Sequence, residues 1–289
     1  MSNFQGSKIN PKRFSVSQLK FYVILIPLAV FMLLPVVFII NQAFKPLGEL
    51  FAFPPKIFVS NPTMNNFKDL FSLVGLTGVP MARYLLNSLF ITTVTVILNI
   101  IVTISAAYVF SKKKFKINNS LFQINQMALM FVETAVLVPR YIVIEHLGLI
   151  NNWLAHILPA IAMPVGLFLV KQFVDQIPDA LIEAAIMDGA KDGKIIQKVI
   201  VPLTKPAIAT SVVLTFQTIW NATEASNNYM NSETMRTLAF YLNSIATNNT
   251  VAASGMVAAA SVILFVPNLI IFICMQSQVM NTMTHSGIK

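Results

Sequence analysis

Residues 178–206 read PDALIEAAIMDGAKDGKIIQKVIVPLTKP, a polar stretch between two segments that are apolar enough to cross a bilayer. Pro178 suits a first helical turn, where its missing N–H costs nothing, and the negative charge of Asp179 is favourable at that end of a helix. Gly189 lies where a helix ends in a left-handed residue. This stretch therefore predicts a helix followed by a turn.

A second short helix is predicted over about 191–200, and Pro202 is expected to end it. The first helix could lie on lipid, dock on a soluble partner or pack back on its own bundle. Lipid is the weakest interpretation, because the helix carries Asp179, Glu183 and Asp188 with no Lys or Arg, and anionic lipid repels it. A soluble partner fits better, since one carboxylate beside small residues can enter a groove and meet a basic side chain.

The composition is that of a membrane protein. Of the 289 residues, 56% are hydrophobic and only 11% are charged, whereas soluble domains carry about 25% charged residues. The net charge of +9 comes from positive residues clustered between apolar segments, so we expect no nucleic-acid partner. The single cysteine excludes an intrachain disulfide, and the three histidines share no metal-ligand spacing.

Six membrane-spanning helices are predicted from the apolar runs, which gives an all-α integral membrane protein. The predicted spans are 21–40, 84–110, 121–144, 153–173, 207–221 and 251–275. They form one permease domain over 21–276, with an external loop at 42–83 and a cytoplasmic loop at 178–206. Short tails at 1–20 and 277–289 are both expected in the cytoplasm.

The distribution of positive charge supports this orientation. Cytoplasmic segments of membrane proteins carry an excess of Lys and Arg. Four lysines fall between 112 and 116, and with both termini inside, fourteen of the twenty Lys and Arg residues lie in cytoplasmic segments. The predicted location is the bacterial plasma membrane, with the 178–206 loop within reach of a soluble cytoplasmic protein.

The order Glu183-Ala184-Ala185, then Gly189, then Pro202 resembles the EAA loop of permease subunits of bacterial ABC importers. Short flanking matches, among them Gly148–Asn152, Pro202–Ala207 and Trp220-Asn221, are similar to the carbohydrate-uptake branch of that family, and in particular to the maltose-type second permease. The resemblance covers nearly the whole chain. It implies the architecture of a type I importer permease, with the loop acting as a coupling helix.

The resemblance also implies partners. These are a second, homologous permease, two ATPase subunits and an extracytoplasmic substrate-binding protein. Glu183 would pair with a basic ATPase residue, Ala184 and Ala185 would allow close approach, Gly189 would make the turn, and Pro202 belongs to the same motif.

The chain shows no site for ATP hydrolysis. A phosphate-binding loop needs Gly, four residues, then Gly-Lys-Ser/Thr, and the nearest stretch, 189–195, has the wrong spacing and no hydroxyl. We therefore expect a transport subunit and not an enzyme, with no cofactor of its own. ATP and Mg²⁺ would be bound by the partner ATPase.

Four residues are candidates for the translocation pathway. Glu133 is a carboxylate within a predicted span, where charge is costly and usually faces a cavity or a partner; it could instead pair with Arg140. Gln217, Trp220 and Asn221 suit a sugar ring, although a Trp at the end of a span is more often an interfacial anchor. In the family that the sequence resembles, one of the two permeases can hold most of the sugar contacts.

The predicted function is the translocation of a sugar or oligosaccharide by an ATP-driven importer. A permease for another solute, such as glycerol phosphate or an amino acid, is the first alternative. A self-contained secondary transporter is disfavoured, because only one carboxylate falls well within a predicted span.

Overall fold

The computed structural model describes residues 19–54, 56–72, 78–247 and 251–286, and this part of the chain is helical without any strand. The helices are α1 (Leu19–Phe44), α2 (Leu47–Leu50), α3 (Asn65–Ser72), α4 (Met81–Lys112), α5 (Asn118–Ala128), α6 (Glu133–His146), α7 (Leu154–Ile161), α8 (Pro164–Asp175), α9 (Asp179–Met187), α10 (Asp192–Ile195), α11 (Val201–Leu203), α12 (Lys205–Trp220), α13 (Glu224–Asn228), α14 (Leu238–Ala246) and α15 (Val251–Ser286). The all-α class predicted from the sequence is confirmed.

Within the described ranges, four segments are long and apolar enough to cross a membrane: 21–44, 81–112, 154–175 and 254–280. Two further helix pairs, α5 with α6 and 192–203 with 205–228, meet this criterion only if each bent pair counts as one span. With them the number of candidate spans reaches six. The predicted third span is thus not one straight helix, because its two halves meet at 114°. Glu133 lies in the first turn of α6, where the helix dipole favours a carboxylate, so the chain begins a new helix there.

The described residues fall into two compact units. The first unit contains 19–68 and 251–262. Within it, the buried amide of Asn66 donates to the carbonyl oxygens of Ala43 at 2.9 Å and Lys45 at 2.8 Å. A Cβ on Gly255 would lie 2.6 Å from the Asn66 side-chain oxygen. Only glycine therefore lets this part of α15 approach Asn66.

The second unit contains 69–247 and 263–286, and α4 is its central helix, in contact with α7, α8, α12 and α14. Its buried polar residues hold the broken helix pair α7 and α8. Asn99 is fully buried, donates to the carbonyl oxygen of Ile161 at 2.7 Å, and accepts a hydrogen bond from Thr215 at 3.1 Å. The carbonyl of Ile161 lies in the last turn of α7, where it has no helical partner, and Asn99 supplies one from α4.

Candidate functional site

The predicted hairpin is present. Helix α9 runs from Asp179 to Met187, and Pro178 precedes it in an extended conformation. Gly189 has φ +77°, the left-handed conformation predicted for the end of this helix. Helix α10 then starts at Asp192 and runs back towards the bundle.

Pro202 does not end the second helix. The backbone forms a π-helical turn over Ile196–Ile200, continues through Pro202 to Leu203, and changes direction by 87° at Thr204. Proline has no N–H and its ring clashes with the carbonyl four residues before it in a regular helix. The wider π turn immediately before Pro202 accommodates it, and the Thr204 hydroxyl then caps the Ile200 carbonyl at 2.8 Å.

An apolar core fixes the hairpin to the spans. Ile182 from α9, Ile195 from α10 and Ile200 from the π turn are buried together in one cluster. The facing side chains come from α4, α8 and α12, and include Ile104, Ala107, Val170, Val174 and Ala207. Burial of an Ile side chain contributes roughly 1.5–3 kcal/mol, so the hairpin and these three helices are expected to move together.

Two carboxylates of the hairpin reinforce this contact at the end of α4. Oδ1 of Asp192 accepts hydrogen bonds from the Tyr108 hydroxyl at 2.9 Å and from the Lys113 ammonium at 2.7 Å. Oδ1 of Asp179 accepts from the Lys112 ammonium at 2.8 Å. This hydrogen bond lowers the pKa of the Asp179 carboxyl, because it stabilises the charged form.

The opposite face of α9 is open. Glu183 and Ala184 are exposed, and so are Leu181 and Met187, the latter 87% exposed. Ala185 differs from Ala184, because it is half-buried and packs on the hairpin's own core. The face that α9 presents to its surroundings therefore combines apolar side chains with one carboxylate.

A cavity of about 440 Å³ lies in the same unit, at the other end of α12 from the hairpin. Most of its lining is apolar. The polar lining residues are Glu133, Arg140, His156, Thr215, Thr218, Glu224 and Tyr229. A volume of about 300–1,000 Å³ with mostly apolar walls and a few polar groups is usual for small-molecule sites.

Arg140 pairs with Glu224 and not with Glu133. One guanidinium nitrogen, Nη1, lies 3.1 and 3.0 Å from the two oxygens of Glu224. Tyr229 donates to the same carboxylate at 3.3 Å. Glu133 is exposed and has no hydrogen-bond or ion-pair partner among the described residues. Glu224 lies 84 residues from Arg140, and no local pattern in the sequence marks it as the partner.

The other three candidates for the translocation pathway, Gln217, Trp220 and Asn221, do not line the cavity. Trp220 is 1% exposed, stacks on Phe216 and donates from Nε1 to the Leu264 carbonyl at 3.1 Å. Gln217 and Asn221 are exposed at the end of α12, where the Asn221 amide donates to the Gln217 carbonyl at 2.8 Å. Of the four candidates, Glu133 is the one that lines the cavity.

Comparison with known proteins identifies the class of transporter. The family described as "Binding-protein-dependent transport system inner membrane component" matches residues 76–279. The sulfoquinovosyl glycerol transport system permease protein SmoH of Agrobacterium fabrum is 27% identical over 89% of this chain and 89% of its own length. The trehalose transport system permease protein SugB of Mycobacterium tuberculosis is 26% identical over 89% of this chain and 92% of its own.

The fold also matches a solved structure. A chain in the crystal structure of a bacterial ABC transporter involved in the import of the acidic polysaccharide alginate has a TM-score of 0.79, with 21% identity over 93% of this chain and 99% of that chain. The resemblance to ABC importer permeases that the loop motif indicated is thus confirmed. The chain belongs to the family of inner membrane components of binding-protein-dependent transport systems.

Proposed function

We propose that this chain is one permease subunit of an ATP-driven importer of a sugar or oligosaccharide, coupled through residues 178–206 to a separate ATPase. The relatives described above support a sugar, since one is named for a glycosyl glycerol and the other for the disaccharide trehalose. ATP and Mg²⁺ are bound by the ATPase and not by this chain. A second, homologous permease and an extracytoplasmic binding protein complete the transporter.

The observation that carries this proposal is the two-faced hairpin. Its inner face, with Ile182, Ile195 and Ile200, is buried against three helices of the bundle. Its outer face, with Glu183 and Met187, is open. A helix fixed on one side and open on the other suits the transfer of force between a soluble partner and the spans.

We place the hairpin and both termini in the cytoplasm. In this orientation the segments assigned to the cytoplasm carry the excess of Lys and Arg, which supports it. In the proposed mechanism, ATP-driven closure of the ATPase pair moves α9. Because Asp179 and Asp192 are tied to the end of α4, that movement passes into the spans and opens the pathway towards the binding protein.

The experiment uses the source bacterium with the gene for this chain deleted, and a plasmid copy to restore it. Growth and uptake of label are measured on single carbon sources: a panel of neutral mono- and oligosaccharides, glycerol 3-phosphate and amino acids. We expect loss of uptake of at least one sugar and its recovery with the plasmid. Loss confined to glycerol 3-phosphate or to an amino acid would overturn the sugar assignment and favour the alternative permease.

A further inference from the structure

We propose that the cavity beside Arg140 and Glu224 is a solute-binding site of this chain, built for a neutral polyhydroxy compound and unfavourable to an anionic one. This inference rests on the proposed function and narrows it to a substrate class. It also assigns solute contact to this subunit, in addition to its role in coupling.

A buried imidazole in the wall of the cavity has an unused acceptor. His156 lines the cavity and is 7% exposed. Its Nε2 has no hydrogen-bond partner among the described residues, while the ring bonds to the backbone of Met235. The ring nitrogen donates this bond to the Met235 carbonyl. The neutral imidazole then leaves Nε2 as an acceptor, and a ligand hydroxyl is a matching donor.

The Arg140–Glu224 pair gives the cavity a fixed polar wall. Glu224 is held by Nη1 of Arg140 and by the Tyr229 hydroxyl. Glu224 is the partner of this guanidinium within the described ranges, which leaves further N–H donors of Arg140 for a ligand oxygen. A vicinal pair of hydroxyl groups can donate to a carboxylate and accept from a guanidinium at the same time.

The charges in the lining select against anions. Glu133 is exposed and without a partner in the described part of the chain, whereas the charges of Arg140 and Glu224 offset each other. The lining therefore carries one net negative charge, which repels a further negative charge. The hydroxyls of Thr215 and Thr218 already donate within the protein, to Asn99 and to the Leu214 carbonyl, so towards a ligand they act as acceptors.

The apolar walls suit the carbon faces of a sugar. Phe131, Pro159, Met163 and Ile219 line the same cavity as the polar groups. A ligand with hydroxyl groups at its edge and C–H groups on its faces meets both kinds of wall. The volume of about 440 Å³ is in the lower part of the usual range for ligand sites, which favours a small solute or one end of a chain.

The position of the cavity links it to the hairpin. Thr215 lies ten residues along α12 from Lys205, which is roughly 15 Å at the rise of a helix. Helix α12 thus borders the cavity at one end and joins the hairpin at the other. A movement of the hairpin that shifts α12 changes the lining as well.

The test measures uptake by the intact transporter in deletion-strain cells that carry wild-type or variant plasmids. The first probe is the labelled sugar whose uptake the deletion abolishes, and the second is labelled glucuronate. Glu133→Gln changes an exposed side chain and leaves the fold intact, while His156→Gln and His156→Leu alter the buried acceptor. The matched control is Glu145→Gln, an exposed carboxylate on the same helix α6 that does not line the cavity.

Glu133 lines the cavity and can accept a hydrogen bond from a ligand hydroxyl. We therefore expect Glu133→Gln to raise the KM for the sugar roughly tenfold, as for the loss of a charged hydrogen-bond partner, with little change in maximal rate. The two His156 variants should raise the KM for the sugar by a similar factor, and the control Glu145→Gln should leave it unchanged. Glu133→Gln should also raise the uptake of glucuronate relative to that of the sugar. The inference would be overturned if Glu133→Gln cells showed the wild-type KM for the sugar. It would also be overturned if cells with the wild-type permease took up glucuronate as fast as the sugar. If the deletion strain still takes up every sugar at the wild-type rate, the proposed function itself is overturned.

Discussion

The hydroxyl of Tyr108 donates to Oδ1 of Asp192 at 2.9 Å, which joins the end of α4 to the start of the second hairpin helix. Lys113 donates to the same oxygen at 2.7 Å and lies over the Tyr108 ring, 5.5 Å from its centroid. Three side chains thus connect two segments that are about eighty residues apart in the sequence. If the hairpin receives force from a partner, this contact is one route by which the force enters the membrane-spanning part.

Removal of this contact should impair coupling more than assembly. We expect Tyr108→Phe to lower sugar uptake several-fold while the permease still reaches the membrane, because the ring and its packing remain and one hydrogen bond to Asp192 is lost. Asp192→Asn should have a larger effect, since it weakens the bonds from both Tyr108 and Lys113. Uptake per molecule in the membrane, measured by immunoblot and labelled sugar, is the readout; wild-type uptake in both variants contradicts this route.

Gly189 should be far less tolerant of alanine than Gly193. Gly189 has φ +77°, where an L side chain costs about 1–2 kcal/mol whatever the surrounding space. Gly193 lies in α10, and a Cβ there meets nothing within 4 Å, so alanine in its place is neutral or stabilises the helix by up to about 1 kcal/mol. Thermal denaturation in detergent checks both variants. An equal melting temperature for the two would show that the turn does not need its left-handed residue.

Pro202 is expected to maintain the π turn that precedes it. In Pro202→Ala the N–H returns and the ring is removed, so the backbone over Ile196–Ile200 can relax into a regular helix. That change would rotate the hairpin relative to Thr204 and α12. We predict normal amounts of protein in the membrane with uptake reduced several-fold, and a structure of the variant with an unchanged π turn would refute this explanation.

Asn99 should contribute to stability because its side chain bonds α4 to both α7 and α12. Its amide supplies the partner of the Ile161 carbonyl and its oxygen accepts from Thr215. Asn99→Leu leaves the Ile161 carbonyl without this partner and the Thr215 hydroxyl with only its 3.4 Å contact to the Met163 sulfur, at a cost of about 1–3 kcal/mol. Thr215→Val removes one of these bonds and should cost less. The melting temperatures of the two variants show which of them loses more stability. If Asn99→Leu were more stable than Thr215→Val, the role assigned to the amide would be contradicted.

Local signals explain what the sequence could predict. Pro178, Asp179 and Gly189 fix the first hairpin helix through the conformation of single residues, so its start and end were predicted closely. The apolar runs gave six segments, because hydropathy over about twenty residues is a property of the segment alone. The lysines near the end of α4 are a local signal of the same kind, and the orientation that they indicate stays a prediction.

Features that depend on distant residues could not be predicted. The break before Glu133 and the π turn before Pro202 could not be located from the apolar runs, because hydropathy is the same for straight and for bent helices. The pairing of Arg140 with Glu224 joins α6 and α13, and the sequence offered Glu133 as the nearer carboxylate. Trp220 looked like an interfacial residue, whereas its burial depends on the approach of residue Leu264 of α15.

The most direct test of the account reverses the charge on the open face of α9. Glu183→Lys and the control Glu145→Lys, which places the same change on α6, are expressed with an affinity tag in the deletion strain. Co-purification of the ATPase and uptake of the labelled sugar are measured for both. We predict that Glu183→Lys loses most of the ATPase and of the uptake, while Glu145→Lys retains both. Wild-type co-purification and uptake in Glu183→Lys would contradict the claim that this hairpin couples the permease to its ATPase.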